Sequence, residues 1–383
     1  MIIIPLTYVL ILTAELLAYV DMQLYLTLQG VSAFKVGAVG SAWWMGVLIA
    51  GVGLHHAINR AGYGLSFFCG VAVSTIGIVI AAAYNAYWIW LAASVLMGVS
   101  GGVSWIAGES WLAEVTPRSQ RGMWIGIFQT AVGVGLMLGP LLRSFIGDAD
   151  VSALWIATAV GIAASVFAAA LLFVPEPSHQ ESDGGSNGST QQDWNRYVTP
   201  MMIVALLAGL FENGSSALFP SIAARMGMSV AQAAGLGAMV GAGATLLQTP
   251  AGWGSDKVGT RRLLISSWLA LMLLSFWMAN ELRANVHILW VSGFLFGGFG
   301  GAIYTLVMIE IGHRFSAHAL IKATSALVAA YTVGGVIGPL LGGWLYDHSG
   351  ASNFARAFVV FAALGAASTA FLPPSHKAQK ADI

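Results

Sequence analysis

The chain has 383 residues, 57% hydrophobic and 8% charged, where a soluble domain carries about 25% charged residues. Sixteen basic residues balance sixteen acidic ones, which excludes a basic nucleic-acid binder and leaves too little polar surface for a water-soluble globule. The single cysteine, Cys69, excludes a disulfide framework and a cysteine-based metal site. The chain is expected in a membrane.

A membrane-crossing helix needs about 20 mostly apolar residues. Apolar runs between polar or Gly/Pro punctuation predict twelve of them, at 3–27, 34–56, 63–84, 87–113, 121–146 and 152–174, then 198–223, 230–252, 262–280, 286–312, 318–346 and 352–372. The first lacks the basic leader and small-residue cleavage site of a signal peptide, so it is expected to span. From Pro175 to Arg196 the chain is polar, Gly/Ser-rich and aperiodic, which predicts a flexible linker. The expected organisation is a six-helix bundle over 1–174, a cytoplasmic linker over 175–197 and a second six-helix bundle over 198–383. With the N-terminus inside, eleven basic residues fall on cytoplasmic segments. Five, namely Lys35, Arg143, Arg225, Arg283 and Arg356, fall opposite. The positive-inside rule then places both termini in the cytoplasm.

The halves repeat each other. Gly98, Gly102, Gly135, Gly139 and Pro140 recur 199 positions later as Gly297, Gly301, Gly334, Gly338 and Pro339. Glu15, Gly30, Ser32, Gly40 and Gly62 recur 197 positions later as Glu212, Gly227, Ser229, Gly237 and Gly259. A two-residue indel in a short loop accounts for the change of offset. Six crossings restore the chain direction, so the repeats are parallel, and such repeats enclose a substrate site near the bilayer midplane. The GxxxG spacings allow close helix approach, and Pro140 and Pro339 each remove a backbone donor and bend their helices.

Gly252-Trp-Gly-Ser-Asp256-Lys-Val-Gly259-Thr-Arg261-Arg262, expected as a loop between the eighth and ninth helices, resembles the cytoplasmic-loop signature of the major facilitator superfamily. The order of Gly334, Gly338, Pro339, Gly342 and Gly343 is similar to the glycine-proline motif of its antiporters. Gly108-Glu109-Ser110 and Tyr331-Thr-Val-Gly-Gly-Val-Ile-Gly-Pro339 resemble the YcaD-type carriers near the drug/proton antiporters. Three motifs depart from the pattern. Asn59 replaces the first-half loop aspartate, Arg143-Ser144 replaces a terminal glycine pair, and Ser94 stands where many drug/proton antiporters carry a membrane-embedded arginine.

The resemblance implies an all-α membrane protein with the superfamily fold, two parallel-repeat six-helix bundles and twelve transmembrane helices. It implies a monomeric carrier of the bacterial inner membrane, without cofactor, whose partners are a small-molecule substrate, protons and the lipid bilayer. From the motif, Asp256 is expected as a conformational latch near the start of the fifth helix, where Arg118 and Arg121 sit, with Arg261 in the same motif; an anion is favoured at a helix N-terminus. A plain loop turn is the alternative. The resemblance adds that the bends at Gly135, Gly139, Pro140, Gly334, Gly338 and Pro339 seal a cavity, although static packing explains them equally.

The family architecture implies that helices one, four, seven and ten line that cavity, and Glu15, Glu109, Glu212 and Glu310 fall one on each. A charge at mid-helix costs about 2.5–3.5 kcal/mol on insertion scales, so these carboxyls are expected to face water, a partner or a substrate, or to be protonated. Glu212 and Glu15 are mid-helix, repeat-related and without a basic residue one turn away. They are the expected proton-coupling pair, with a protonated acid bonded to backbone as the alternative. Glu310 has Arg314 four positions on, a favourable helical pair, so substrate contact and structural pairing are balanced readings. Glu109 has Trp105 one turn back, which suits a cation held between ring and carboxylate.

Tyr8, Tyr19, Trp105, Phe211 and Tyr304 are candidate aromatic walls, with helix packing as the alternative. Trp43, Trp44, Trp88 and Trp90 read as interface belts, and Asp21 as a solvated rim charge. No lysine or arginine falls in the middle third of a predicted span, which disfavours an anionic substrate. No dinucleotide, phosphate-loop or HExxH pattern is present, and His55 and His56 lack a carboxylate or cysteine to complete a metal set, so neither an enzyme nor a metal site is expected. The expected function is proton-coupled export of a neutral or cationic amphipathic small molecule. Proton-coupled uptake of a neutral or zwitterionic nutrient and a non-transporting sensor on a carrier fold are the alternatives.

Overall fold

The computed structural model describes residues 2–53, 60–117, 120–147, 152–174, 194–282, 285, 287–315 and 317–372. Most of the predicted linker lies outside them. The first half is α1 (Ile3–Leu28), α2 (Ala33–Gly53), α3 (Tyr63–Ala83), α4 (Tyr87–Val115), α5 (Arg121–Phe145) and α6 (Ser152–Ala170). The second half contains α7 (Thr199–Arg225), α8 (Val230–Val258), α9 (Thr260–Glu281), α10 (Ile288–Arg314) and a final helical stretch, Ala317–Ala370. Gly350, at φ 74° and ψ 178°, breaks that stretch into two arms, α11 (317–349) and α12 (351–370). Eleven stretches among the described residues are long and apolar enough to cross a membrane, and with the last divided there are twelve crossings in two six-helix bundles.

The predicted loop over 252–262 is shorter than expected. α8 continues helically to Val258, and α9 starts at Thr260. Gly259 between them holds φ at 93°, a conformation open to a residue without Cβ, so one residue turns the chain. Its repeat partner Gly62 does the same before α3 at φ 87°.

Within each bundle the repeated glycines set the crossings. A Cβ on Gly98 of α4 would overlap the Trp43 carbonyl of α2, and one on Gly297 of α10 would overlap the Val240 carbonyl of α8. Likewise Gly135 and Gly139 of α5 press on Leu12 and Thr13–Leu17 of α1, while Gly334 and Gly338 of α11 press on the α7 backbone at Leu206–Gly214. Backbones in such contact need small residues. The second bundle is filled by a ring cluster in which Phe211, Phe296, Phe354 and Phe358 stack edge and face.

The halves meet along α2 with α11 and α5 with α8, and α1 touches α7. Gly37 of α2 abuts the Pro339 carbonyl, Gly343 of α11 abuts the Ala33 carbonyl, and Gly241 of α8 abuts Leu136 of α5. Ser41 Oγ donates to the Val336 carbonyl at 2.6 Å, and the Thr27 and Ser221 hydroxyls pair at 2.7 Å. These contacts run from mid-helix to the end that carries the Gly30 and Gly227 turns, here the Gly30 face. The opposite end carries Gly62, Gly259, the start of α1 and the end of α12. Toward it, α2 packs instead within its own bundle, with Val47 and Ala50 against Gly102 of α4.

One charged pair departs from expectation. Asp21 is not a solvated rim charge but is buried, and Arg143, expected among the charges flanking the outer helix ends, is buried with it. Arg143 Nε donates to Asp21 Oδ1 at 2.5 Å, and its Nη1 donates to the Ile146 and Gly147 carbonyls at 2.9 and 3.1 Å. Packing of α5 on α1 encloses both groups, and the guanidinium also serves the open carbonyls at the end of α5.

Candidate functional site

Glu212, mid-way along α7, accepts a hydrogen bond at Oε2 from the Tyr331 hydroxyl of α11 at 2.8 Å. Its Cβ faces Gly300 of α10, where an added Cβ would stand 3.1 Å away. Glu15 has the repeat-equivalent setting on one side. Gly101 of α4, the counterpart of Gly300, faces the Glu15 carboxylate, with 3.0 Å from an added Cβ to Oε2. Each acid thus occupies room that a missing side chain leaves on the fourth helix of its bundle. Their hydrogen-bond partners differ. Ser74 Oγ of α3 donates to Glu15 Oε1 and Tyr331 of α11 donates to Glu212, so each acid is bonded within its own bundle, but the Tyr331 ring also meets Trp44 of the other half.

Tyr331 is the hub. Its ring lies 4.6 Å from that of Tyr304 on α10 and 5.7 Å from that of Trp44 on α2. Trp44 stands edge-on to Trp43 at 5.0 Å, and Trp43 lies beside the Glu15 carboxyl. Aromatic rings therefore connect the two repeat-related acids across the bundle boundary. Glu109 accepts from Trp105 Nε1 at 3.0 Å and from Gln129 Nε2 of α5 at 3.3 Å. Glu212, Tyr331, Tyr304 and Trp44 thus form one cluster, and Glu109, Trp105 and Gln129 form another. Acids beside aromatic rings suit a positively charged or hydrogen-bonding guest.

Other candidates are placed elsewhere. Phe211 is buried in the ring cluster of the second bundle, 4.7 Å from Phe296. Tyr8 packs on Phe128 at 5.0 Å inside the first bundle. Tyr19 lies toward the Gly30 face, its hydroxyl against Gly40. Glu310 Oε1 accepts from Arg314 Nε and Nη2 at 2.8 and 2.6 Å. Arg261 donates to the Ala370 carbonyl at the end of α12. Arg118 and the side chains of Arg121 and Asp256 lie outside the described residues. The tryptophans read as belts divide: Trp88 is 75% exposed, but Trp90 is buried with Nε1 donating to the Ala81 carbonyl at 2.9 Å, and Trp43 and Trp44 are half-buried, with Trp44 against Tyr331 of the other half.

Sequence reasoning missed Tyr331, Trp44, Gln129 and Ser74 as neighbours of the acids. Tyr331 begins the glycine-proline segment of α11, but no local pattern marks its hydroxyl as a partner of Glu212.

The Major Facilitator Superfamily family model matches residues 5–199 and 201–382. The chain is 24% identical over 318 residues to "Uncharacterized MFS-type transporter YcaD" of Escherichia coli O9:H4 (strain HS), covering 83% of this chain and 81% of that protein. In structure it is similar to a bacterial homologue of the human lysosomal transporter Spinster in an inward-facing, occupied conformation. That match has a TM-score of 0.80 at 16% identity, over 96% of this chain and 95% of the other. It is also similar to a D-xylose–proton symporter, with a TM-score of 0.74 at 17% identity over 96% of each chain. The chain belongs to the Major Facilitator Superfamily, a family of membrane transporters and not of enzymes.

Proposed function

We propose that the protein is a secondary transporter in which bundles 1–174 and 198–383, joined by the linker 175–197, alternate access to a site between them. It exports a neutral or cationic amphipathic compound across the bacterial inner membrane in exchange for protons, as a monomer with both termini cytoplasmic. The observation that carries this reading is Glu212 bonded to Tyr331, whose ring meets Tyr304 and reaches Trp44 of the first bundle, with Glu109 of that bundle held by Trp105 and Gln129. Glu212 and Glu15 exchange protons, and Trp105, Glu109, Tyr304 and Glu212 receive the substrate. Proton and substrate compete for the acidic groups, so each state of the bundles favours one of them. A positive or neutral guest is further supported by the engagement of Arg143 with Asp21 and of Arg314 with Glu310. Asp256, with Arg118 and Arg121, is the proposed latch at the terminal face.

Likeness to a D-xylose–proton symporter favours the second reading, proton-coupled uptake of a neutral nutrient. Proteoliposomes with an imposed pH gradient separate the two, using tetraphenylphosphonium and D-xylose as probes. Movement of the cation against the proton flow supports export. Accumulation of D-xylose with protons overturns export in favour of uptake, and movement of neither probe nor of a wider panel favours a sensor.

A further inference from the structure

The most specific bonds between the bundles lie at the Gly30 face, away from the acidic site. Asp347, in the last turn of α11, accepts hydrogen bonds from the first two amides of α2. Ala33 N donates to Oδ1 and Phe34 N donates to Oδ2, each at 2.8 Å. A helix N-terminus carries partial positive charge and unpaired N–H groups, so a carboxylate there is stabilising. Within its own helix Asp347 is badly placed, because an acid in the last turn faces the negative end of the dipole. Its position makes electrostatic sense only with α2 of the other bundle alongside.

The repeat supplies an internal comparison. α8, the counterpart of α2, is capped by its own residues: Gln232 N donates to Ser229 Oγ at 3.2 Å and Ser229 N donates to Gln232 Oε1 at 3.1 Å. In α2 the equivalent serine, Ser32, accepts from Lys35 N at only 3.4 Å, near the limit of a useful bond. The first half has therefore ceded the cap of α2 to a residue of the second. Asp148, which precedes Asp347 by the repeat offset of 199, lies outside the described residues. Around the Asp347 contact the Gly30 face is drawn shut. Arg225 at the end of α7 donates to the Val31 carbonyl, the Thr27 and Ser221 hydroxyls pair beneath, and Gly343 and Gly37 allow α2 and α11 to touch backbone to backbone.

We propose that Asp347 is the latch that holds the Gly30 face closed, gripping the N-terminus of α2 in this state and releasing it when that face opens. Release leaves the first amides of α2 to water, so the closed state alone gains the two charge-assisted bonds. The proposal rests on alternating access of the two bundles, and the experiment separates failure of one from failure of the other.

Spin labels at Gln29 and Ala231, both exposed at this face and on opposite bundles, report its opening by pulsed dipolar distance measurement on the full chain, with Cys69→Ser as background. Asp347→Ala is expected to raise the ratio of long to short distances by about tenfold, the effect of losing charged hydrogen bonds from one state only. Ser32→Asp/Asp347→Ala gives α2 a cap of its own. It is expected to melt like the parent yet keep the lengthened distances. A cap with a merely structural role predicts the parent distribution in this double variant, and that result overturns the latch. Gly343→Leu, which places a side chain on the Ala33 carbonyl, wedges the face open. If the wedge lengthens the distances and neither Asp347 variant does, the latch is wrong and bundle motion stands; if none does, alternating access fails with it.

Discussion

Asp21 and Arg143 form a buried ion pair between α1 and α5, and at the repeat offsets of 197 and 199 their counterparts are Leu218 and Gly342. Those two also meet, since a Cβ on Gly342 would stand 2.6 Å from Leu218 Cδ1. One bundle thus fills with charges a place that the other fills with a leucine against a bare backbone. Removing one partner strands a buried charge at a cost of about 3–5 kcal/mol, whereas replacing both by apolar groups is often neutral. Asp21→Ala and Arg143→Ala are each expected to lower the melting temperature in detergent. Asp21→Leu/Arg143→Gly, which copies the second bundle, recovers most of the loss; a double variant as unstable as the singles contradicts the comparison. The pair was not legible in the sequence, because each residue sits near a helix end and reads alone as a rim charge. Glu310 with Arg314 was legible, because four positions along one helix bring two side chains together without tertiary information.

At the scale of the helices, hydropathy marked every crossing, because lipid demands about 20 apolar residues whatever the partner helices are. It misjudged 252–262, where polar residues continue α8 past the apolar run and only Gly259 stops it. Glycine spacing named the contact positions, but not which glycine meets backbone and which meets open space. Gly98 meets the Trp43 carbonyl, while Gly126 of α5 has nothing within 4 Å of an added Cβ. Gly98→Ala is therefore expected to destabilise by about 1–3 kcal/mol through overpacking. Gly126→Ala stabilises by about 0.5–1 kcal/mol through helix propensity. Thermal melts of the two variants check the ordering, and equal melting temperatures contradict the assigned crossings.

The whole molecule adds what neither residue nor helix contains. The four cavity-helix acids were visible as scarce charges in apolar spans, but their sorting was not. Glu310 pairs with Arg314, Glu15 is bonded to Ser74, Glu212 to Tyr331, and Glu109 to Trp105 and Gln129. That sorting depends on which way α11 and α2 present Tyr331 and Trp44, a matter of packing between halves that periodicity within one helix does not encode. Closure is also a property of the assembly, since the bonds at the Gly30 face join residues remote in the chain. The account turns on Glu212, the acid that Tyr331 holds at the bundle boundary. Its direct test is pH-gradient-driven tetraphenylphosphonium transport in proteoliposomes by the parent and by Glu212→Gln, matched for melting temperature. The account predicts gradient-driven movement in the parent and none above the protein-free background in the variant; transport by Glu212→Gln at the parent rate would contradict it.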